Sequence, residues 1–480
     1  VSSFYYDREI AGMFFIVADV VAGVDPATVE AAMDDVMAEF TKRGPNPKLL
    51  KAEKTKILAG FIRGIQRIGG FGGKSDLLAT CQTYTGDPGC YQKNAAYLDA
   101  VTPSKMKATF AKWIDDTPYV LTILPTDKYS VGETDLDRSA GIPFPTEKVE
   151  FQFPTLQTAT LSNGAKVVLA QRKGVPLVEM NFQFNFGYAQ ENNDELGYTN
   201  FMMGMLNEGT KKYSSLEFDE VLDSLGSNLG FGSGLDTSVA TLSSLKANLS
   251  QTLDLAKEAL INPTFPEKEI ERIKKETLAG IIQEENRPAS IAYRNIGKLL
   301  YGDDHPYGKP LTGSGISETI SSITRANIMD VHSRAINSAH LTFAVAGDIG
   351  MEELVNLLES KFGDWSANSD SDLKALTTVE LPDNRTIYLI DKPNAQQSYI
   401  VAGQLLPPSA TDEEIEIDYM NYAIGGSFTA RLNMNLREDK SWSYGVRTRL
   451  GAAKGQRAML VTAPVQTDKT SESMAEIVKE

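Results

Sequence analysis

The chain of 480 residues carries 63 Asp and Glu against 47 Lys and Arg, giving a formal net charge of −16 and a pI near 4.9. That balance argues against a nucleic-acid partner, because phosphate contacts require clustered Lys and Arg. At roughly 100 to 200 residues per domain the length calls for two to four domains, and no apolar run approaches the ~20 residues of a membrane helix.

The first residue is Val1, so the sequence reads as a processed product or a piece of a longer protein. Residues 13–21 alternate as a strand, and Asp25 with Pro26 opens a helix running through Phe40, the Asp as N-cap and the Pro at the first helical position. A second helix is expected over 45–68, closed by the glycines of GGFGG. Cys81 and Cys90 flank a turn-forming stretch, Gly86 to Gly89; both a short-loop disulfide and two buried thiols fit. A helix and an alternating strand follow over 101–125, and this unit overlays 323–347 without a gap at an offset of 222, placing Thr102 on Thr324, Met106 on Ile328 and Ile123 on Val345. A second overlay lays the strand FFIVADV on MLVTAPV at an offset of 445. Serial domains of about 220 residues account for both offsets.

Residues 126–154 are polar and aperiodic, with PFP near their end, and read as a linker. TLSNGAKVVLA then gives two strand arms about Asn163-Gly164, a hairpin signal, and residues 177–186 form a further strand. In 197–218, GYTNFMMGMLNEGTKKYSSLEF, Phe201, Met202, Met205 and Leu206 recur at helical spacing. A helix over 265–288 buries Ile270, Ile273, Leu278 and Ile281. LTFAVAGDIG and a last helix end this domain near Trp365, a polar linker spans 366–384, and strand TIYLIDK opens the final part. The fold class is α+β, with mainly antiparallel sheets and helices packed on one side. Its divisions are 1–125, a linker to 154, 155–365, a linker to 384, and 385–480. His305, His332 and His340 fit no metal spacing.

The 197–218 stretch resembles the active-site helix of the insulinase/pitrilysin (M16) zinc peptidases, which runs approximately G-L-x-H-F-x-E-H-M-x-x-x-G-T-x-x-Y. Gly197, Phe201, Met205, Gly209, Thr210 and Tyr213 stand on the framework positions. In H-x-x-E-H the two His project from one helix face onto zinc and the Glu activates water. Here Asn200 and Gly204 hold the His positions and Met203 that of the Glu; the third ligand, a Glu on the later helix, falls on Gly280. None of these can replace imidazole, carboxylate or base at a hydrolytic zinc. LSNGAKVVL, HPYGKPLTG and VAGDIG are also similar to family segments. GGSFTARLNMNLREDKSWSYGV is similar to the family's G-G-x-x-S-R-L…L-R-E…Y, which puts Arg437 and Tyr444 on positions of substrate contact.

The resemblance implies tandem repeats of about one M16 domain each: the end of a second repeat in 1–125, a complete inactive third in 155–365, and the start of a fourth in 385–480. On this reading the chain binds no metal and has no catalytic residue. Zinc would belong to an upstream half or an active M16 partner chain, and this half would hold a peptide or unfolded polypeptide against Arg437 and Tyr444. The competing expectation is a catalytically dead relative serving as a scaffold or partner subunit. A periplasmic or other extracytoplasmic compartment is favoured.

Overall fold

Two alternating runs at the start of the chain pair antiparallel as β1 (Ser2–Tyr6) and β2 (Met13–Val17). They are seen in the computed structural model, which describes residues 1–6, 11–20, 23–114, 118–123, 154–366, 373–380, 386–393 and 395–480. The linker expected at 126–154 lies outside the described residues apart from Pro154. The chain divides into two compact units. One comprises Val1–Thr155, Gly174–Leu177 and Asp223–Ser227; the other comprises Leu156–Lys173, Val178–Leu222 and Asn228–Glu480.

In the first unit the capping residues do what their chemistry suggests. The Asp25 side chain accepts from the Ala27 N–H at 3.0 Å and starts helix Pro26–Arg43, and Asn46 accepts from Lys48 at 2.9 Å to start Pro47–Gly64, each satisfying a donor left open at a helix start. A disulfide joins the buried Cys81 and Cys90, tying helix Lys74–Thr85 to helix Cys90–Asp99. Thr102 caps Pro103–Trp113 through Lys105, as Thr324 caps Arg325–Ala335 through Asn327, so the two overlaid segments share a helix and its cap. Their strands differ. Residues 118–123 adopt no strand, and Tyr119, Leu121 and Ile123 stand exposed. A strand requires a partner for its backbone groups, and among the described residues this copy is given none.

The second unit holds two sheets. The larger contains β3 (Leu156–Thr160), β4 (Lys166–Gln171), β5 (Leu177–Phe184), β6 (Asn228–Ser233), β7 (Ser238–Leu245) and β8 (Leu341–Gly347), in the order β3-β4-β8-β5-β7-β6. Gly164 turns the first hairpin at φ +89°, where glycine meets no Cβ penalty. β8 lies parallel to β4 and antiparallel to β5, so the sheet is mixed. Its face is covered by an aromatic cluster: Phe182 of β5 and Phe343 of β8 lie 5.1 Å apart, each 5.6 Å from Phe362 at the end of helix Met351–Phe362.

The smaller sheet runs β10 (Arg447–Leu450), β11 (Arg457–Gln466), β9 (Gln397–Leu406). TIYLIDK, expected as its opening strand, forms none over 386–391, and Ile387 and Leu389 are exposed. The β10–β11 register, Arg447↔Thr462, is that of β1–β2, Ser2↔Val17, with 445 added to each number.

The HPYG loop joins the two sheets. Tyr307 donates from its hydroxyl to Asp236 Oδ1 at 2.7 Å and accepts from the Gly455 N–H at 2.9 Å, while Asp236 Oδ2 accepts from the Lys454 N–H at 2.8 Å. Tyr301 donates to the Gln456 carbonyl at 2.9 Å. His305 Nδ1 accepts from the Tyr307 N–H at 3.0 Å, which leaves Nε2 to donate to the Thr377 carbonyl at the same distance. Tyr307→Phe strands the half-buried Gly455 N–H and a carboxylate oxygen of Asp236. It should therefore lower the unfolding free energy of the full chain by about 1–3 kcal/mol, measured by urea denaturation against wild type.

Candidate functional site

The helix aligned with the peptidase motif spans Tyr198–Gly204, with Phe201, Met202 and Met203 buried along it and Met205 and Leu206 buried in the turn that follows. Its start is built around Glu191, whose carboxylate accepts from the Gly197 N–H at 2.9 Å and the Thr199 N–H at 2.6 Å. Gly197 takes φ +91°, and a Cβ there would stand 2.7 Å from the Ser314 carbonyl oxygen, so only glycine lets the 313–315 loop approach. Burial raises the Glu191 pKa to about 7, against the opposing pull of the two N–H groups and of the Lys309 charge. Lys309 is itself buried, which lowers its own pKa. Lys374 donates to the Glu191 carbonyl at 2.6 Å.

Asn200 occupies the first of the motif positions as a cross-link. Its Nδ2 donates to the Gly313 carbonyl at 3.0 Å and its Oδ1 accepts from the Ser233 N–H at 3.1 Å, joining the helix to the end of β6 and to the glycine loop. Met203 is fully buried. Gly204, at the helix end, and Gly280, inside helix Glu267–Asn286, are exposed, and a Cβ at either would meet no atom within 4 Å. Side chains at these two positions would project into open space, and neither glycine supplies a donor. Among the described residues no group of three or more His, Cys, Asp or Glu is placed to hold a metal ion. His332 is committed to the Leu260 carbonyl at 2.8 Å.

Arg437 and Tyr444 sit in the smaller-sheet region. Arg437 belongs to a π-helical turn, Met434–Asp439, with Nη1 3.1 Å from Glu438 Oε1 and its guanidinium over the Phe428 ring at 4.6 Å. Tyr444, on the loop before β10, is 80% exposed. The Tyr444 ring thus stands in solvent, while Arg437 is half-buried, paired with Glu438 and stacked on Phe428. Sequence reasoning missed Glu191. Its signal, an acidic residue six positions before the Gly197 turn, is hidden in the run ENNDE, where three acidic residues compete for the role.

Residues 166–313 match the sequence profile of the insulinase family, peptidase family M16, and residues 322–480 match that of the peptidase M16 inactive domain. The chain is a member of peptidase family M16. Among its M16 relatives, the uncharacterized zinc protease YmxG of Bacillus subtilis is 24% identical over 287 residues, covering 60% of this chain and 68% of YmxG. A Mycobacterium leprae uncharacterized zinc protease is 21% identical over 304 residues, covering 63% and 68%. The peptidase M16 inactive domain from Pseudomonas fluorescens superposes with a TM-score of 0.62 at 25% identity, over 67% of this chain and 77% of that one. The Escherichia coli periplasmic protease PqqL shares the M16 fold over 81% of this chain and 42% of its own, at a TM-score of 0.58 and 17% identity.

The Glu191 carboxylate makes a pH prediction. Its native pKa near 7 lies above the ordinary value of 4.5, so between those limits the folded state binds a proton that the unfolded state does not. Stability then falls as pH rises from about 4.5 to 7. Glu191→Gln should remove up to roughly 3 kcal/mol of that decline, read as a flatter dependence of the urea midpoint on pH.

Proposed function

We propose that this M16 chain is the non-catalytic, polypeptide-holding portion of a tandem zinc metalloendopeptidase, with the catalytic zinc carried by an upstream half or by an active partner chain. The observation that carries the reading is the combination at the motif helix. Glu191 closes the start of that helix, and the residues that the resemblance puts on the positions of ligands and base, Asn200, Met203, Gly204 and Gly280, carry none of that chemistry, Asn200 being committed to hydrogen bonds instead. The match of 322–480 to the inactive-domain profile supports it, as does a relative's designation as a zinc protease.

The tandem arrangement proposed is the end of one repeat in 1–125, a complete inactive repeat in 155–365 and the opening of another in 385–480, separated by linkers. The shared register of β1–β2 and β10–β11 favours it, as do the matched caps Thr102 and Thr324. The order β10-β11-β9 also corresponds to β6-β7-β5 in the larger sheet. A polypeptide would lie against Arg437, whose guanidinium can hold a peptide carbonyl by forked bonds. Tyr444 is free to reach the oxyanion formed when a zinc-bound water attacks. The Cys81–Cys90 disulfide favours an oxidising, extracytoplasmic compartment.

The test is binding without cleavage. The purified chain, incubated with reduced and carboxymethylated lactalbumin in the presence of zinc, should retain the polypeptide on size-exclusion chromatography and yield no new fragments by mass spectrometry. Zinc-dependent fragments would refute the non-catalytic assignment. Absence of any retained polypeptide would favour a scaffold role.

A further inference from the structure

We propose that Asn433 and Phe428 are positioning residues that set Arg437 and Tyr444 for a bound polypeptide, an inference resting on the polypeptide-holding reading above. The buried Asn433 side chain works in both directions at once. Its Nδ2 donates to the Phe428 carbonyl at 2.6 Å and its Oδ1 accepts from the Val446 N–H at 3.0 Å. The two partners fix which way the amide faces, since only its nitrogen can meet a carbonyl and only its oxygen can meet an N–H.

Each partner controls one of the two ligand-facing side chains. The Phe428 ring, 56% exposed, carries the Arg437 guanidinium 4.6 Å above its centroid. A planar guanidinium resting on a ring is held by its face, so the edge N–H groups not turned to Glu438 stay available for a carbonyl. Val446, two positions after Tyr444, is fully buried. On the near side of the same loop, the Ser443 hydroxyl donates to the Pro464 carbonyl of β11 at 2.6 Å and accepts from the Gly445 N–H at 3.1 Å. Tyr444 is therefore gripped by its neighbours while its own ring stays in solvent. A single amide thus fixes the spacing between a cation and a phenol that meet the same ligand. The π-helical turn under Arg437 is the kind of backbone feature that re-aims a side chain at a functional surface.

The variants separate positioning from folding. Asn433→Asp keeps the acceptor for Val446 and sets a carboxylate oxygen against the Phe428 carbonyl. Phe428→Leu removes the ring and Phe428→Tyr keeps it; because Phe428 is largely exposed, these two bear on the proposal even where Asn433→Asp fails to fold. Affinity of the full chain for fluorescein-labelled, reduced and carboxymethylated lactalbumin is measured by anisotropy, in wild type and in an Arg437→Ala/Tyr444→Phe background.

In wild type, Asn433→Asp and Phe428→Leu should each weaken binding by about tenfold or more, as for one misdirected charge-assisted hydrogen bond. Phe428→Tyr should stay within about twofold, and in the double-variant background none of the three should cost anything further. Wild-type affinity in Asn433→Asp and Phe428→Leu, with weakened binding in the double variant, would overturn the positioning role and leave the parent reading standing. Equal losses in both backgrounds would also overturn it, as general structural damage. Wild-type affinity in the double variant itself would defeat the polypeptide-contact reading and this inference together.

Discussion

The Asn200 amide is the hinge of the larger sheet's site. It ties the motif helix to the end of β6 and to the glycine loop at Gly313 through one donated and one accepted hydrogen bond, while Glu191 closes the open N–H groups at the helix start. A zinc-binding helix must leave its ligands free to reach a metal. Here the equivalent side chain is spent on holding backbone together, and the next two positions are a buried thioether and a bare glycine. Internal hydrogen bonds and core packing hold the helix where a peptidase would also have a metal to do so.

Hydrogen bonds also tie the two sheets of the second unit together. The larger sheet reaches the smaller through Tyr307, Asp236 and the 454–456 turn, whose backbone leads directly into β11. β11 in turn anchors Ser443 through the Pro464 carbonyl, and Ser443 flanks Tyr444. A continuous set of hydrogen bonds and strands thus runs from the HPYG loop to the Tyr444 loop. The exposed Tyr444 stands at the end of this support.

Much of this was legible in the sequence because it rests on local rules. Asp25-Pro26 and Asn163-Gly164 announce themselves by residue type and position, and each forms its element; the helices of the two overlaid segments form as well, with the matched Thr102 and Thr324 as their caps. The framework glycines and aromatics of residues 197–213 likewise announce the helix Tyr198–Gly204 and its buried face. The strands expected at 118–125 and in TIYLIDK were not borne out in the described residues, because alternation states a preference for extended backbone and cannot supply a neighbour. β8, which shares the pattern of 118–123, lies between β4 and β5 and forms. Glu191 and Asn433 escaped altogether. Their roles come from burial against backbone groups distant in the chain, and no spacing encodes that.

On the proposed reading this chain keeps the backbone frame of an M16 metal site and has exchanged its ligand side chains. Restoring the three ligand types by Asn200→His, Gly204→His and Gly280→Glu, and measuring bound zinc by elemental analysis after dialysis, tests it most directly. A Cβ at either glycine position meets no atom within 4 Å, so neither substitution begins with a clash at the backbone. The account predicts that the folded triple variant retains about one zinc per chain with the His₂Glu ligand set of catalytic sites, while wild type retains none. A folded triple variant without zinc, or a wild-type chain holding one, would contradict it.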